Sequence, residues 1–93
     1  MIRSFADTAT EAVFLRQYVR KFSPMLQRAA YRKLVQLHVA TALETMNVPP
    51  GNRLQKLSGR RRDQHSIRIN DQWRVCFVWR EGDAYDVEIV DYH

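Results

Sequence analysis

Ile67-Arg68-Ile69-Asn70-Asp71-Gln72-Trp73-Arg74-Val75-Cys76-Phe77-Val78-Trp79-Arg80 decides the fold, because apolar and polar side chains alternate along it on both sides of a three-residue break. A period of two is the mark of a strand with one buried face. Asn70-Asp71-Gln72 has the length and composition of a hairpin loop. Downstream, Tyr85, Val87 and Ile89 alternate with Asp86 and Glu88 after a second break at Glu81-Gly82-Asp83, so the sequence predicts three antiparallel strands.

Register follows from the pattern, because residues opposite one another share a face and a one-residue slip reverses a whole strand. Setting Ile69 opposite Trp73 places Arg68 opposite Arg74; Trp79 then pairs with Tyr85, and Phe77 with Val87. One face carries Ile67, Ile69, Trp73, Val75, Phe77, Trp79, Tyr85, Val87 and Ile89. The other carries Ser66, Arg68, Arg74, Cys76, Val78, Arg80, Asp86 and Glu88. Two arginines directly opposed repel and need compensation. A phosphate suits the guanidinium fork; a carboxylate on the same face, such as Asp86 or Glu88, is the competing solution.

Upstream the period lengthens to that of a helix. Ile2 and Phe5 fit a short edge strand. Thr8-Ala9-Thr10-Glu11 matches a capping box with Thr8 as N-cap, followed by Leu15, Tyr18, Val19 and Phe22 at helical spacing. Ser23-Pro24 reads as an N-cap with proline in the first turn. A second helix then runs to about Met46 on a stripe of Leu26, Ala30, Leu34, Leu37 and Thr41, and ends at Asn47-Val48-Pro49-Pro50-Gly51. The very short link between the helices predicts a hairpin. The expected fold is α+β: a two-helix hairpin packed on one face of a twisted antiparallel sheet, with residues 1–93 as one domain.

Composition agrees with one globular domain, at 93 residues, 45% hydrophobic and 27% charged. No apolar run nears the roughly 18 residues of a membrane span. Met1-Ile2-Arg3-Ser4-Phe5-Ala6-Asp7 lacks the apolar core and cleavage site of a signal peptide, so a cytoplasmic location is expected. Cys76 is the only cysteine, and His38, His65 and His93 have no metal-ligand spacing, so the expected chemistry uses no metal. The net charge of +5 is unevenly spread. Lys and Arg outnumber Asp and Glu by seven to three over residues 1–50 and seven to two over 51–76, but are outnumbered five to one over 77–93. A polyanion would therefore meet a local surface.

The densest basic stretch is Gly59-Arg60-Arg61-Arg62-Asp63-Gln64-His65, preceded by Arg53 and Lys56. It reads either as a loop that docks electrostatically on nucleic acid or as a solvated charge run. Asp91-Tyr92-His93 is the one place where a carboxylate, a phenol and an imidazole adjoin. Metal-free RNA cleavage needs a base for the 2′-hydroxyl, an acid for the 5′-oxygen and cations at the phosphate, and an imidazole suits either proton role. The competing reading is a frayed terminus. Alternation puts Tyr92 on the arginine face and turns Asp91 and His93 away. His65 is expected at the core edge, His38 at a surface or interface, and Trp73 and Trp79 in the core. Ser66 has no partners for a hydrolase triad, and no glycine loop cradles a nucleotide.

Pro49-Pro50-Gly51-Asn52-Arg53-Leu54, Leu57-Ser58-Gly59, His65-Ser66-Ile67-Arg68-Ile69-Asn70-Asp71-Gln72-Trp73-Arg74 and Val87-Glu88-Ile89-Val90-Asp91-Tyr92-His93, in that order after Met1-Ile2-Arg3-Ser4-Phe5, resemble the HigB branch of the RelE toxin family. The resemblance implies the RelE fold and a ribosome-dependent mRNA endonuclease without a cofactor. It further implies silencing by a HigA-type helix-turn-helix antitoxin, through which alone operator DNA would be bound. Arg74 would stabilise the scissile phosphate, and Asp91, Tyr92 and His93 would organise the nucleotide and the proton transfers. Arg53, Lys56, Arg60, Arg61, Arg62 and Arg68 join as phosphate-binding candidates on charge and position. The chain departs from many members at Gln55, where they carry histidine, and at Ser58, where they carry a basic residue. Glutamine exchanges no proton near neutral pH, which concentrates proton chemistry on His93. Two other functions fit the same fold: a ParE-like gyrase inhibitor that cuts no RNA, and a weakly active subunit of an operator-binding complex.

Overall fold

Asp7 starts the first helix, one residue earlier than the capping box suggests, because its carboxylate accepts the Thr10 N–H at 2.7 Å. In the computed structural model, which describes residues 1–92, helix α1 spans Thr8–Phe14 and stops well short of Phe22. Arg16 takes a left-handed φ of 61°, its N–H bonds Val13 O at 3.0 Å, and the Gln17 N–H reaches back to Ala12 O at 2.8 Å. This pair of bonds is a Schellman ending, formed here without glycine. Leu15 and Tyr18 are consequently exposed rather than part of a helical stripe, while Phe22 is buried.

Helix α2, Pro24–Val39, begins as expected, with Ser23 Oγ accepting the Leu26 N–H at 3.1 Å. Leu26, Ala30, Leu34 and Leu37 form its buried stripe. It ends before Thr41, which is exposed; a 3-10 turn over Leu43–Asn47 follows and buries Met46. The helices still pair as a hairpin, joined by a nonhelical segment with turns over residues 15–23 instead of a tight link. Gln27 organises that segment by accepting the Val19 N–H and donating to Phe22 O.

Four antiparallel strands stand in sequence order: β1 Gln55–Lys56, β2 Gln64–Arg68, β3 Trp73–Arg80 and β4 Asp83–Asp91. The two-residue β1 adds to the three expected strands. Ile2 and Phe5 make isolated parallel bridges to Ala84 and Val87, so the N-terminal segment covers the outer edge of β4. Arg68 faces Arg74 and Ile67 faces Val75, as the pattern predicts. The expected pairing of Trp79 with Tyr85 is overturned: Trp79 faces Ala84, and Tyr85 faces Val78. Glu81 and Gly82, at φ 48° and 82°, make a two-residue turn of the kind that needs positive φ at both positions. A bulge then sets both Asp86 and Val87 between the Cys76–Glu88 and Val78–Tyr85 pairs, with Asp86 at φ 52°.

The bulge corrects the register, so Val87 and Ile89 are buried on the helix side along with Ala84. Tyr85 goes to the other face, where the Arg80 guanidinium lies 4.4 Å from its ring centre. The core lies between α1, α2 and this sheet face, around Leu34, Leu37, Met46, Ile67, Val75, Phe77 and Val87. Trp73 and Trp79 pack at its margin, edge-on to Phe22 and Phe77 respectively. No described helix is long and apolar enough to cross a membrane.

Candidate active site

The face of the sheet away from the helices holds Ser66, Arg68, Arg74 and Cys76, set there by the β2–β3 register. Arg74 is only 7% exposed, which is rare for a guanidinium and costly unless its N–H groups are satisfied. Its Nε donates to Ser66 Oγ at 2.7 Å, and its Nη2 donates to Arg53 O at 2.7 Å and Ser66 O at 3.3 Å. Tyr92 presents its ring 5.7 Å from the guanidinium carbon. Burial holds the Arg74 pKa below the usual arginine range, and Arg68 and Arg53 press it further down against the opposing pull of Cys76 and Tyr92.

The two opposed arginines are compensated differently. Arg68 pairs with Asp71 of the hairpin loop. Arg74 has no carboxylate partner among the described residues, because Asp86 is engaged by Ser4 and Glu88 by Arg61 at 3.2 Å. Neutral oxygens that hold a buried guanidinium without cancelling its charge leave that charge for an anion arriving from outside.

The Arg53 carbonyl is aimed by an unusual backbone. Arg53 sits at φ 47°, just after the 3-10 turn Pro50–Asn52. That turn is tied to α2 by Asn52, which is fully buried, donates to Gln36 Oε1 at 3.1 Å and Met46 O at 2.9 Å, and accepts from Lys33 Nζ. Burial, with Arg32 and Arg68 nearby, lowers the Lys33 pKa. Sequence reading assigned nothing to Asn52 and set Ser66 aside with the triad it cannot form. The available signal for Ser66 was its place on the arginine face diagonal to Arg74.

The remaining candidates spread around this centre. Arg53 and Lys56 are exposed, but Lys56 stands opposite His65, whereas Gln55 stands opposite Ser66 and so shares the Arg74 face. Arg60 and Arg62 are exposed at the 3-10 turn Gly59–Arg61; Arg61 is tied down by Gln64 and Glu88. Tyr92 lies on the arginine face as alternation predicts, with its N–H bonded to Gln72 O at 2.6 Å. Asp91 pairs with Trp73 and its Oδ2 accepts from Gln72 Nε2 at 3.2 Å, which turns it to the opposite face. His93 lies outside the described residues.

Other reactive types are accounted for structurally. Burial pushes the Cys76 thiol pKa up. His38 is half-buried: its Nδ1 accepts the Ile2 N–H at 3.1 Å and its ring packs on Phe14. His65 stacks on Phe77 at the core edge, with Nδ1 buried and unbonded among the described residues.

The family model described as "RelE-like toxin of type II toxin-antitoxin system HigB" matches residues 3–93. Toxin HigB-1 of Vibrio cholerae serotype O1 (strain ATCC 39315 / El Tor Inaba N16961) is 41% identical over 59 residues, a match covering 63% of this chain and 62% of that relative. The matched segment thus spans less than two thirds of the relative's length. Among solved structures, the YoeB-YefM complex and the heterotetrameric YoeB-YefM toxin-antitoxin complex, both from Staphylococcus aureus, each include a chain superposing with a TM-score of 0.56 at 15% identity, over 100% of this chain and 98% of that one. At this identity the likeness is one of fold, and it agrees with the α+β architecture described above.

Proposed function

Because the chain belongs to the RelE-like toxins of type II toxin-antitoxin systems of the HigB kind, we propose that it is an endoribonuclease that cuts ribosome-bound mRNA in the A site and so stops translation in the cytoplasm. Arg74 carries this reading, as a buried guanidinium without a carboxylate partner among the described residues, braced by Ser66 and the Arg53 carbonyl beside the half-exposed ring of Tyr92. A scissile phosphate placed against it gains a charge-assisted contact that strengthens as negative charge builds on the non-bridging oxygens.

In the proposed reaction the 2′-oxygen attacks phosphorus in line. A base takes its proton, the bond to the 5′-oxygen breaks, and an acid protonates that leaving oxygen, giving a cyclic phosphate and a free 5′-hydroxyl. No metal enters this scheme. His93 is assigned proton transfer, Tyr92 stacking on the nucleotide, and Asp91 the positioning of the chain end. Gln55, on the Arg74 face, takes a hydrogen-bonding role. Arg53, Lys56, Arg60, Arg62 and Arg68 supply phosphate contacts, and Arg61 does so through the loop it fixes against Glu88. A HigA-type helix-turn-helix antitoxin silences the enzyme and brings it to operator DNA.

Mapping RNA ends after brief induction tests the reading. Cuts in phase with the reading frame are expected, and they should disappear with Arg74→Ala and His93→Ala while both variants stay folded. Intact mRNA accompanied by gyrase inhibition would move the protein to the ParE-like function.

A further inference from the structure

A groove of about 470 Å³ opens between the end of α1 and the outer side of α2, with Arg16, Gln17, Tyr18, Arg28, Tyr31 and Arg32 in its lining. Arg28 and Arg32 are one turn apart on α2, opposite the stripe of Leu26, Ala30, Leu34 and Leu37 that packs on the sheet. The groove therefore faces away from the sheet, whereas Arg74 lies on the sheet's far face.

Its chemistry is unusual for a solvated helix surface. Among the described residues, three guanidiniums line it and no carboxylate does. Arg16 lies 4.9 Å from the centre of the Tyr31 ring, which fixes one charge at the groove wall. Tyr18 is 76% exposed on a nonhelical segment, and Leu15 and Met25, at 55% and 74% exposed, neighbour the lining residues in sequence. Arginine, tyrosine and methionine at a concave site are the residue types enriched at protein interfaces. Bare aliphatic groups beside the arginines favour a protein segment over a nucleic-acid backbone, which would leave them wet.

We propose that this groove is a docking site for an acidic segment of the antitoxin, with carboxylates spaced to meet Arg28 and Arg32 and one apolar or aromatic side chain entering between Tyr18 and Tyr31. The proposal rests on the antitoxin partnership put forward above and adds where and by what chemistry the partner is held. It does not depend on RNA cleavage, since none of the groove residues is among those that hold Arg74, which are Ser66, Arg53 and Tyr92.

Calorimetric titration of the purified protein with its cognate antitoxin, at low and at high salt, tests the site. Arg28→Glu/Arg32→Glu should weaken binding by about 100-fold, and Tyr18→Ala by about tenfold, while Arg60→Glu/Arg62→Glu, an equal charge change elsewhere, should alter it by less than about threefold. None of these side chains makes a hydrogen bond among the described residues, so the variants should fold; Arg28→Gln/Arg32→Gln replaces the double reversal if it does not. Wild-type affinity in the groove variants would overturn the proposal, and so would equal losses in both charge-reversed pairs. In cells without antitoxin, Arg28→Glu/Arg32→Glu should still cut mRNA; loss of cutting by the folded variant would make the groove an RNA contact and overturn the proposal. If the wild-type protein cuts no mRNA yet binds the antitoxin through Arg28 and Arg32, the docking site stands and the nuclease reading fails. Absence of any antitoxin binding by the wild type would remove both the partnership and the docking site.

Discussion

Ser66→Ala removes the hydroxyl that accepts from Arg74 Nε at 2.7 Å, and both residues are buried, so water cannot take its place without opening the site. A hydrogen bond to a charged group contributes about 1.5–3 kcal/mol. The Ser66 carbonyl still accepts from Nη2 at 3.3 Å in the variant, which favours a loss of about 2 kcal/mol from the middle of that range. For a domain of this size the unfolding entropy is about 0.2 kcal/mol/K, so the melting temperature should fall by roughly 10 °C. Replacing both partners by apolar groups leaves no buried donor stranded. Arg74→Met/Ser66→Ala should therefore be more stable than the sum of the single changes implies, and a double-mutant cycle by urea unfolding should give a coupling of about 2 kcal/mol. Cleavage should respond as well: a guanidinium misplaced by about 1 Å can cost on the order of a hundredfold in rate. A coupling below about 0.5 kcal/mol, or wild-type cleavage by Ser66→Ala, would refute the idea that Ser66 sets the position of Arg74.

Asn52→Ala strands the partners of a fully buried amide and should cost about 2–3 kcal/mol in chemical unfolding, with cleavage falling further than stability explains because the Arg53 carbonyl loses its anchor. His65 has its pKa lowered below 6.5 by burial and then by Lys56, so the folded state binds its proton less readily than the unfolded one. Its contribution is therefore complete above pH 6.5 and is lost as the pH falls toward the depressed folded value; melting temperatures of the wild type relative to His65→Phe should diverge only below about pH 6.5, and an NMR titration midpoint above that value would contradict the assignment. Cys76 is buried with its thiol pKa raised, so it should react with a thiol reagent at the rate of unfolding, and fast labelling of the native protein would contradict this.

Most of the fold is legible in side-chain pattern because burial enforces it. The alternation around Trp73–Arg80 fixes the strands and sets Arg68 opposite Arg74, and Ser23 with Pro24 marks the start of α2. Tyr92 falls on the arginine face for the same reason. What the pattern conceals is backbone. Among the described residues, four other than glycine adopt positive φ: Arg16, Arg53, Glu81 and Asp86. Arg16 ends α1 with no glycine to signal the stop, Glu81 shortens the second hairpin loop, and Asp86 makes the bulge that exchanges Tyr85 for Ala84 on the core face. Such conformations cost on the order of 1–3 kcal/mol and persist where the surroundings hold them. For Asp86 the holding groups belong to Ser4: Ser4 Oγ accepts its N–H at 2.9 Å, and Ser4 O accepts the Val87 N–H at 3.1 Å. The N-terminal segment thus secures a register that residues 83–91 do not specify alone. Arg53 is the functional instance, because its left-handed turn aims the carbonyl that grips Arg74. The same arginine that sequence reading chose for its charge contributes to the candidate site through its backbone, and only the fully buried Asn52 beside it explains how that backbone is kept in place.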